Sequence, residues 1–221
     1  MSQSLSEDIE TILRMAVREP EDPLPTMEQY GRDQGFPIVG PEVGHTLRLL
    51  ARCTRGRHAF EFGSGYGYSA AWLAGGLDET GEIILTEEDK EELDKAYEFL
   101  NDGPYDVTFH FEHGDAHEAL ERYTEDFDIV LIDHDKTLYV DAYEQVKSQL
   151  ASDAVIVADN MLGGPVDPSS VRSALEGEDP EDEMVRGVAN YINHVRNDQA
   201  VESVLLPLGE GIFVSRVVSQ D

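Results

Sequence analysis

The sequence predicts a single α/β domain with a mostly parallel sheet, helices on both faces and an antiparallel hairpin at the C-terminus. Three observations lead to this prediction. Strand patterns alternate with helix patterns between residues 58 and 158, which is typical of βαβ units. Strands such as Ile129–Ile132 are apolar throughout, as expected for a sheet that is covered on both faces. The last two β-rich runs are separated by a short loop with two glycines, which favours a hairpin.

The elements follow one another in a regular order. Apolar residues at helical spacing predict helices over residues 5–18 and Glu42–Cys53. The stretch Glu19–Pro25 ends the first helix, because proline cannot continue a helix. The remaining predicted elements, in chain order, are strand Ala59–Phe62, helix Ser69–Ala74, strand Glu82–Thr86, helix Glu88–Leu100, strand Val107–Glu112, helix Ala116–Tyr123, strand Ile129–Ile132, helix Tyr139–Leu150, strand Ala154–Ala158, helix Met184–Arg196 and strands Ser203–Leu206 and Ile212–Ser215.

One domain accounts for the whole chain. The 221 residues fit a single large α/β domain, and we find no internal repeat. We divide the domain into an N-terminal helical extension, residues 1–34, and a core, residues 35–221. Within the core, the acidic stretch 163–183 contains glycine and proline, and we interpret it as an irregular loop or lid. The single cysteine, Cys53, excludes an internal disulfide and a metal site with several thiolates.

Charge is the unusual property of the composition. There are 46 acidic and 16 basic residues, and the formal net charge is −30. The acids are spread along the chain, so that the surface repels itself at ordinary ionic strength. In molar salt the screening length falls to roughly 3 Å, and most of that repulsion disappears. Our hypothesis is a salt-adapted protein of an extreme halophile; the alternative is an ordinary acidic cytosolic enzyme.

Several classes of function do not fit this sequence. It contains no run of about 18 apolar residues, which excludes a membrane-spanning helix. Its N-terminus lacks the basic start and apolar stretch of a signal peptide, so we expect a cytoplasmic protein. No stripe of lysine and arginine is available to neutralise phosphates, which makes unspecific binding to nucleic acid unfavourable.

A glycine-rich loop follows the first predicted strand. Its glycines, Gly63, Gly65 and Gly67, allow a sharp turn and a close approach to a ligand, although a plain strand-to-helix turn would need them too. Glu87 ends the next strand, about 20 residues on, where an acid can accept hydrogen bonds from the ribose of an adenosine. A dinucleotide site needs Gly-x-Gly-x-x-Gly, whereas this loop reads Gly-x-Gly-x-Gly with Glu61 two positions before it. NAD(P) therefore competes with another adenosine ligand, and the spacing disfavours NAD(P).

Oxygen-bearing side chains follow two further predicted strands. Asp133 comes directly after one strand, and Asp159 and Asn160 come directly after the next. Neighbouring parallel strands lie about 4.8 Å apart, and their carboxyl ends open into the crevice where such sheets bind ligands. Three oxygens at one point suit a hard cation such as Mg²⁺ or Ca²⁺. Acids that only cap helices or solvate strand ends are the alternative.

Four motifs together resemble one known family. They are Glu-Phe-Gly-Ser-Gly-Tyr-Gly-Tyr-Ser at 61–69, Leu-Ile-Asp-His-Asp-Lys at 131–136, Ala-Asp-Asn-Met at 158–161 and Leu-Pro-Leu-Gly-Glu-Gly at 206–211. In this order and spacing they resemble the metal-dependent O-methyltransferases that include the catechol and caffeoyl-CoA enzymes. The resemblance runs from about Gly35 to Val217. It implies a Rossmann-like class I methyltransferase fold with seven strands, S-adenosylmethionine as cofactor and a divalent metal, Mg²⁺ or else Ca²⁺ or Mn²⁺.

The resemblance also implies roles for particular residues. Asp133, Asp159 and Asn160 match the metal ligands, and Lys136 matches the lysine that acts as general base in the catechol enzymes. Lys136 is one of only four lysines in a chain that otherwise uses arginine, which argues against an incidental surface charge; a surface lysine is the alternative. Asp115, after the third strand, matches an acid that meets the adenine amino group; by itself, Gly-Asp-Ala equally fits a helix N-cap. The predicted cofactor-binding residues are Glu61, Gly63, Ser64, Gly65, Tyr68, Ser69, Glu87, Asp115, Ala116, Asp133 and His134.

One departure from the family concerns the acceptor. Plant caffeoyl-CoA enzymes carry a tryptophan soon after the Asp-Asn pair, whereas Met161–Val166 has no aromatic residue and one residue fewer. A different acceptor pocket is therefore expected. Segment 35–44 aligns with a loop that covers the cofactor, or it is a plain connector. Tyr66 and Tyr68 line the cleft or pack against the sheet.

The function predicted from the sequence is methyl transfer to a catechol-like or vicinal-hydroxyl small molecule, dependent on S-adenosylmethionine and a divalent metal. The alternatives are methylation of hydroxyuridine in tRNA, non-catalytic binding of an adenosine ligand, and NAD(P)-dependent oxidoreduction. The intact set of Asp133, Lys136, Asp159 and Asn160 argues against a non-catalytic binder. Relatives that form dimers suggest a homodimer here as well.

Overall fold

The fold is a seven-stranded sheet between two layers of helices, seen in a computed structural model that describes residues 7–101 and 103–218. The strands are β1 His58–Phe62, β2 Glu82–Glu87, β3 Thr108–His113, β4 Phe127–Ile132, β5 Leu150–Ala158, β6 Val201–Leu206 and β7 Ile212–Val217. Their order in the sheet is β3-β2-β1-β4-β5-β7-β6. The first five strands are parallel, and β7 runs antiparallel to both β5 and β6. The predicted fold class is confirmed.

The helices of the described residues fill the connections between strands. They are α1 Glu7–Met15, α2 Leu24–Gln34, α3 Gly40–Thr54, α4 Tyr68–Ala74, α5 Lys90–Asn101, α6 Ala116–Leu120, α7 Tyr139–Val146, α8 Pro168–Leu175 and α9 Glu183–Arg196, with 3₁₀ turns at Lys136–Leu138 and Lys147–Gln149. Within these ranges no helix is both long and apolar enough to cross a lipid bilayer.

Two helices correct the expectations from sequence. Helix α2 was not predicted, because Pro23 and Pro25 suggested a break; prolines at the very start of a helix are tolerated, since the first N–H groups have no partner in the helix. Helix α8 occupies the middle of segment 163–183, so that segment is not an irregular loop throughout. There Asp167 accepts a hydrogen bond from the Ser170 amide and caps a helix whose first residue is proline.

The ends of several predicted helices also differ. The helix expected over residues 5–18 ends at Met15, and its residues 5 and 6 lie outside the described part of the chain. Helix α6 ends at Leu120 rather than Tyr123. Helix α7 ends at Val146 and continues as a 3₁₀ turn. Helix ends are poorly determined by local sequence, because tertiary packing decides where the last turn stops.

The sheet is buried on both faces. Along β4, Ile129 and Leu131 face a core shared with α2, α3 and α4, and Val130 and Ile132 face a core shared with α7 and α9. Because successive side chains of a strand point to opposite faces, an apolar residue is needed at every position. This is the physical reason for the unbroken apolar runs in the sequence.

Strand register brings the candidate site together. Phe62 of β1 lies level with Ile132 of β4, which lies level with Ala158 of β5. The next residue of each strand continues this alignment: the amide of Asp133 donates to the Phe62 carbonyl at 2.9 Å, and the amide of Asp159 donates to the Ile132 carbonyl at 3.1 Å. Three consecutive strands in the sheet therefore end at one level, and their following residues share one crevice.

Candidate active site

A large cavity of about 720 Å³ opens at the carboxyl ends of the parallel strands. This is the edge at which open α/β sheets bind ligands. The sequence-predicted site residues that line it are Gly63, Ser64, Gly65, Tyr68, Ser69, Glu87, Asp115, Ala116, Asp133, His134, Lys136, Asp159 and Asn160. The structure thus brings together all of the predicted residues except Glu61.

The glycine loop packs directly on the end of β4. Gly63 has a φ of +80°, and a Cβ at this position would lie 2.5 Å from the carbonyl oxygen of Asp133. Only glycine combines that backbone conformation with so close an approach. Two residues on, the amide of Gly65 donates a 2.8 Å hydrogen bond to Oε2 of Glu87. The loop is therefore held between the ends of β2 and β4.

Two acids border the far side of the cavity. Glu87, at the end of β2, also accepts a hydrogen bond from the Asp89 amide through Oε1, at 2.9 Å. Asp115 caps α6, since its Oδ1 accepts from the amides of His117 and Glu118 at 2.7 and 3.0 Å. These hydrogen bonds hold the pKa of Asp115 below its ordinary value. The capping alternative is thus correct, and the same side chain also borders the cavity.

Glu61 lies beneath the glycine loop rather than in the cavity wall. Its side chain is fully buried, Oε1 accepts a hydrogen bond from the hydroxyl of Ser69, and Oε2 has no partner among the described residues. Burial raises the pKa of Glu61 to about 8, because the charged form loses its hydration. Glu61 therefore supports the start of α4 from inside the protein.

Two carboxyl groups converge at the ends of β4 and β5. Asp159 is 2% exposed, and its Oδ1 has no hydrogen-bond partner within the described ranges. Burial, followed by the charge of Asp133, raises the pKa of Asp159 to about 8, and burial also raises the pKa of Asp133. Asn160 follows with a φ of +60°, in the left-handed region that asparagine tolerates better than most residues. Among residues 7–101 and 103–218 there is no cluster of three or more His, Cys, Asp or Glu side chains arranged for a metal.

The side chain of Lys136 is buried. It is 7% exposed, and its Nζ donates to Asp133 Oδ1 at 3.1 Å and to the His134 carbonyl at 3.0 Å. The Nζ also lies 4.9 Å from the centre of the Tyr139 ring, within the range of a cation–π contact. The alternative of a solvated surface lysine is therefore wrong.

His134 forms part of the cavity wall beside Lys136. Its ring stacks on Tyr139 with a centroid distance of 5.5 Å, and its Nε2 lies 3.4 Å from Nε2 of His117. Burial lowers the pKa of His134 to about 4, so that the ring is neutral at pH 7. His134 contributes a flat neutral surface to the cavity.

Comparison with known proteins identifies the family. A family model described as O-methyltransferase matches residues 26–218. The chain belongs to the O-methyltransferase family. A catechol O-methyltransferase of Niastella koreensis is 28% identical over 153 residues, which cover 66% of this methyltransferase and 69% of that protein. An Arabidopsis thaliana protein with the provisional name caffeoyl-CoA O-methyltransferase is 27% identical over 198 residues. These residues cover 86% of this methyltransferase and 82% of that protein.

A solved structure agrees with the fold. The O-methyltransferase TomG of Streptomyces achromogenes, crystallised with S-adenosylmethionine, superposes with a TM-score of 0.82 at 23% identity. The match covers 99% of this methyltransferase and all of TomG. At that level of identity the similarity establishes a shared fold.

The structure adds an acid that the sequence analysis passed over. Glu210, in the loop between β6 and β7, borders the cavity and contributes to the raised pKa of Asp159. Its carboxylate lies against Gly163, where any Cβ would overlap Oε2. An acid between two glycines in Leu-Gly-Glu-Gly was a usable signal, but we used that stretch only as a hairpin turn and as a motif of the family resemblance, with no role for Glu210. The antiparallel pairing of β5 with β7 brings the loop to the same end of the sheet.

Residues before α3 form another wall. Phe36, Pro37, Ile38 and Val39 line the cavity, so this part of segment 35–44 is more than a connector. Tyr66 borders the cavity and is also packed, since its hydroxyl donates to the Met27 carbonyl at 3.0 Å. The alternative in which Tyr66 lines the cleft therefore holds, and the packing of its hydroxyl is against α2. The methyltransferase closes this side of its cavity with apolar side chains.

Proposed function

We propose that this protein transfers a methyl group from S-adenosylmethionine to one of two neighbouring hydroxyls of a small molecule, with a divalent cation in the site. The observation that carries the proposal is the convergence of Asp133, Lys136, Asp159 and Asn160 on one cavity that also contains the glycine loop. Family membership supports the reaction class. The resemblance of the four motifs to the catechol enzymes supports the acceptor class.

The charge of the cavity favours S-adenosylmethionine over a dinucleotide. Lys136 is the only lysine or arginine among the described lining residues, and Asp133 already pairs with it. A pyrophosphate would therefore meet no free cation. A sulfonium cofactor suits a cavity whose acidic lining residues are Glu87, Glu88, Asp115, Asp133, Asp135, Asp159 and Glu210.

Each part of the cofactor has a candidate partner in this cavity. Glu87, held by the amides of Gly65 and Asp89, has carboxylate lone pairs left to accept from ribose hydroxyls. Asp115 and Ala116 would meet the adenine. Gly63, Ser64, Tyr68, Ser69 and His134 would surround the methionine portion, with Glu61 supporting Ser69 from beneath. When bound, S-adenosylmethionine supplies a methyl group attached to a positively charged sulfur. The sulfur is the leaving group and keeps the electron pair of the carbon–sulfur bond.

The donor set also fits a divalent metal. Asp159 Oδ1 is a buried oxygen that has no partner in the part of the chain that the structure describes. Repulsion between the carboxylates of Asp133 and Asp159 raises the free energy of the site when both are charged. A buried, unpaired carboxylate is costly, and a cation would offset that cost. Two carboxylates and an amide oxygen from Asn160 are ligands that Mg²⁺ prefers. When bound, such a cation would lower the pKa of an acceptor hydroxyl as a Lewis acid.

The neutral amine of Lys136, which a bound divalent cation would favour, would receive the acceptor proton at Nζ. The resulting ammonium would be held by Asp133 Oδ1 and by the His134 carbonyl, the two groups that already accept its hydrogen bonds. The acceptor oxygen forms its bond to the methyl carbon as the bond from carbon to sulfur breaks. The buried residues around Lys136 exclude water and hold the reacting groups in place, which can contribute roughly 7–11 kcal/mol in well-aligned systems.

The decisive experiment measures S-adenosylhomocysteine release from S-adenosylmethionine with a panel of catechols in molar KCl, with Mg²⁺ or with EDTA. We expect turnover that requires Mg²⁺. Turnover unaffected by EDTA would remove the metal from the mechanism, and the absence of turnover with every catechol would contradict the acceptor class. Binding of S-adenosylhomocysteine but not NAD⁺, measured by calorimetry, would separate this proposal from an oxidoreductase.

A further inference from the structure

Helix α9 contributes no residue to the cavity among the described residues, yet it packs against the 3₁₀ turn that carries Lys136. The closest approach is at Gly187. A Cβ on Gly187 would overlap the carbonyl oxygen of Lys136 and would lie 2.7 Å from its carbonyl carbon and 3.0 Å from Cα of Thr137. All three are backbone atoms, so that no side-chain rotation could relieve the overlap.

The glycine is required for space and not for its backbone conformation. Gly187 lies inside α9 and is absent from the residues with positive φ. Glycine is among the least favourable residues inside a helix. Close packing of α9 on the turn is what this glycine makes possible.

The turn that receives this packing is the one that orients Lys136. Asp135 caps it, since Oδ1 accepts from the amide of Thr137 at 2.9 Å. The ring of Tyr139 lies behind Lys136. Tyr191 of α9 packs edge-on against that ring, with 5.6 Å between the two ring centroids. The hydroxyl of Tyr139 donates to the carbonyl of Asp159 at 3.3 Å. Helix α9 therefore supports both the turn and the ring behind the lysine.

We infer that Gly187 is a positioning residue for methyl transfer. Because Gly187 has no side chain, α9 can pack directly on the turn. This packing fixes the position of Lys136 Nζ relative to the carboxylate oxygens of Asp133 and Asp159. This inference rests on the proposed role of Lys136 as general base. Ordinary Cβ contacts begin near 3.4 Å, so that an alanine would displace the turn by about 1 Å. A misplacement of that size can lower a rate about 100-fold.

The test compares Gly187→Ala with Gly76→Ala. A Cβ on Gly76 would lie 2.5 Å from the Arg48 carbonyl oxygen and 2.7 Å from Cβ of Ala51, and none of these residues borders the cavity. Both variants are overpacked and should lose stability. We expect Gly187→Ala to lower kcat roughly 10- to 100-fold, with the Kd for S-adenosylhomocysteine within about twofold. Gly76→Ala should keep the wild-type kcat. Equal kcat in both variants, or losses that follow Tm alike in both, would overturn the inference.

A second variant covers the case in which Gly187→Ala fails to fold. Tyr191→Leu keeps Gly187 and removes the ring packed on Tyr139, and we expect a loss in kcat of roughly three- to tenfold. A wild-type kcat in Tyr191→Leu would count against α9 as the support of Lys136.

Displacement of the turn is measured independently of activity. Amide exchange or a crystal structure of Gly187→Ala should show residues 135–138 shifted or less protected, and an unchanged turn overturns the inference. A shifted turn with an undiminished kcat would remove Lys136 from the proposed mechanism and Gly187 from its positioning role. If the wild type methylates no acceptor, the proposed function fails, and the displacement measurement still decides whether Gly187 positions the turn.

Discussion

Glu61→Gln tests the most deeply buried acid of the protein. The folded-state pKa of Glu61 is about 8, against 4.5 for the exposed side chain. Below pH 4.5 the Glu61 carboxyl is protonated in both the folded and the unfolded protein, so that its burial does not lower the free energy of unfolding. Above pH 4.5 the unfolded chain releases its proton first, so that the free energy of unfolding falls by about 1.4 kcal/mol per pH unit until the folded-state pKa is passed. The loss between pH 5 and 8 is about 4 kcal/mol.

Glutamine has the same shape and no such proton. Its amide places one buried N–H₂ group where Oε2 of Glu61 has no partner among the described residues, and this costs about 1–3 kcal/mol at every pH. We therefore expect the variant to be less stable than the wild type at pH 5 and to gain about 4 kcal/mol relative to it by pH 8.

The assay is urea unfolding at fixed salt from pH 5 to 8, followed by the emission of Trp72, the single tryptophan, which is fully buried. Glu202→Gln, at an exposed position on β6, is the matched control. Its free energy of unfolding should change with pH in parallel with that of the wild type. A parallel profile for Glu61→Gln would refute the reasoning, because Glu61 would then titrate alike in both states.

Three further predictions follow from the site and the charge. Asp159→Ala should lower Mg²⁺-dependent turnover by about 100-fold or more, whereas Asp141→Ala, at an exposed position, should not; full activity of Asp159→Ala would refute the metal assignment. Among catechols of equal size, 3,4-dihydroxybenzoate should show a kcat/KM roughly tenfold below that of 4-methylcatechol, because the cavity is acidic; equal values would contradict electrostatic selection. The Tm should rise by roughly 5 °C or more between dilute buffer and 2 M KCl, and a Tm insensitive to salt would contradict salt adaptation.

The sequence predicts most of the fold because its strands have to be apolar on both faces. Runs such as Ile129–Ile132 and Ala154–Ala158 carry that requirement locally, and glycines and acids mark where each strand ends. The candidate site follows from the same logic, since residues after parallel strands share one edge of the sheet. Asp133, Asp159 and Asn160 could therefore be predicted to lie together before any coordinates were known.

Local signals failed where two interpretations were equally compatible with the residues. Pro23 and Pro25 suggested a break, and only packing of Leu24 and Met27 into the core shows that a helix begins there. Helix α8 was missed for a related reason, because its acidic and proline-bearing surroundings are also typical of loops. Burial of the apolar face decides such cases, and burial is a property of the whole fold.

The sequence by itself determined the sheet, the glycine loop and the residues that follow each strand, because strand pattern and turn chemistry are local. Only the tertiary structure decided that Lys136 is buried, that Glu210 reaches the cavity and that α9 packs through Gly187 on the turn that carries Lys136. The contacts of Glu210 with Gly163 and of Gly187 with Lys136 join residues that are 47 and 51 positions apart in the chain. Their geometry depends on the register of β5 with β7 and on the packing of α9. Long-range contacts of this kind leave no periodic trace in a single sequence.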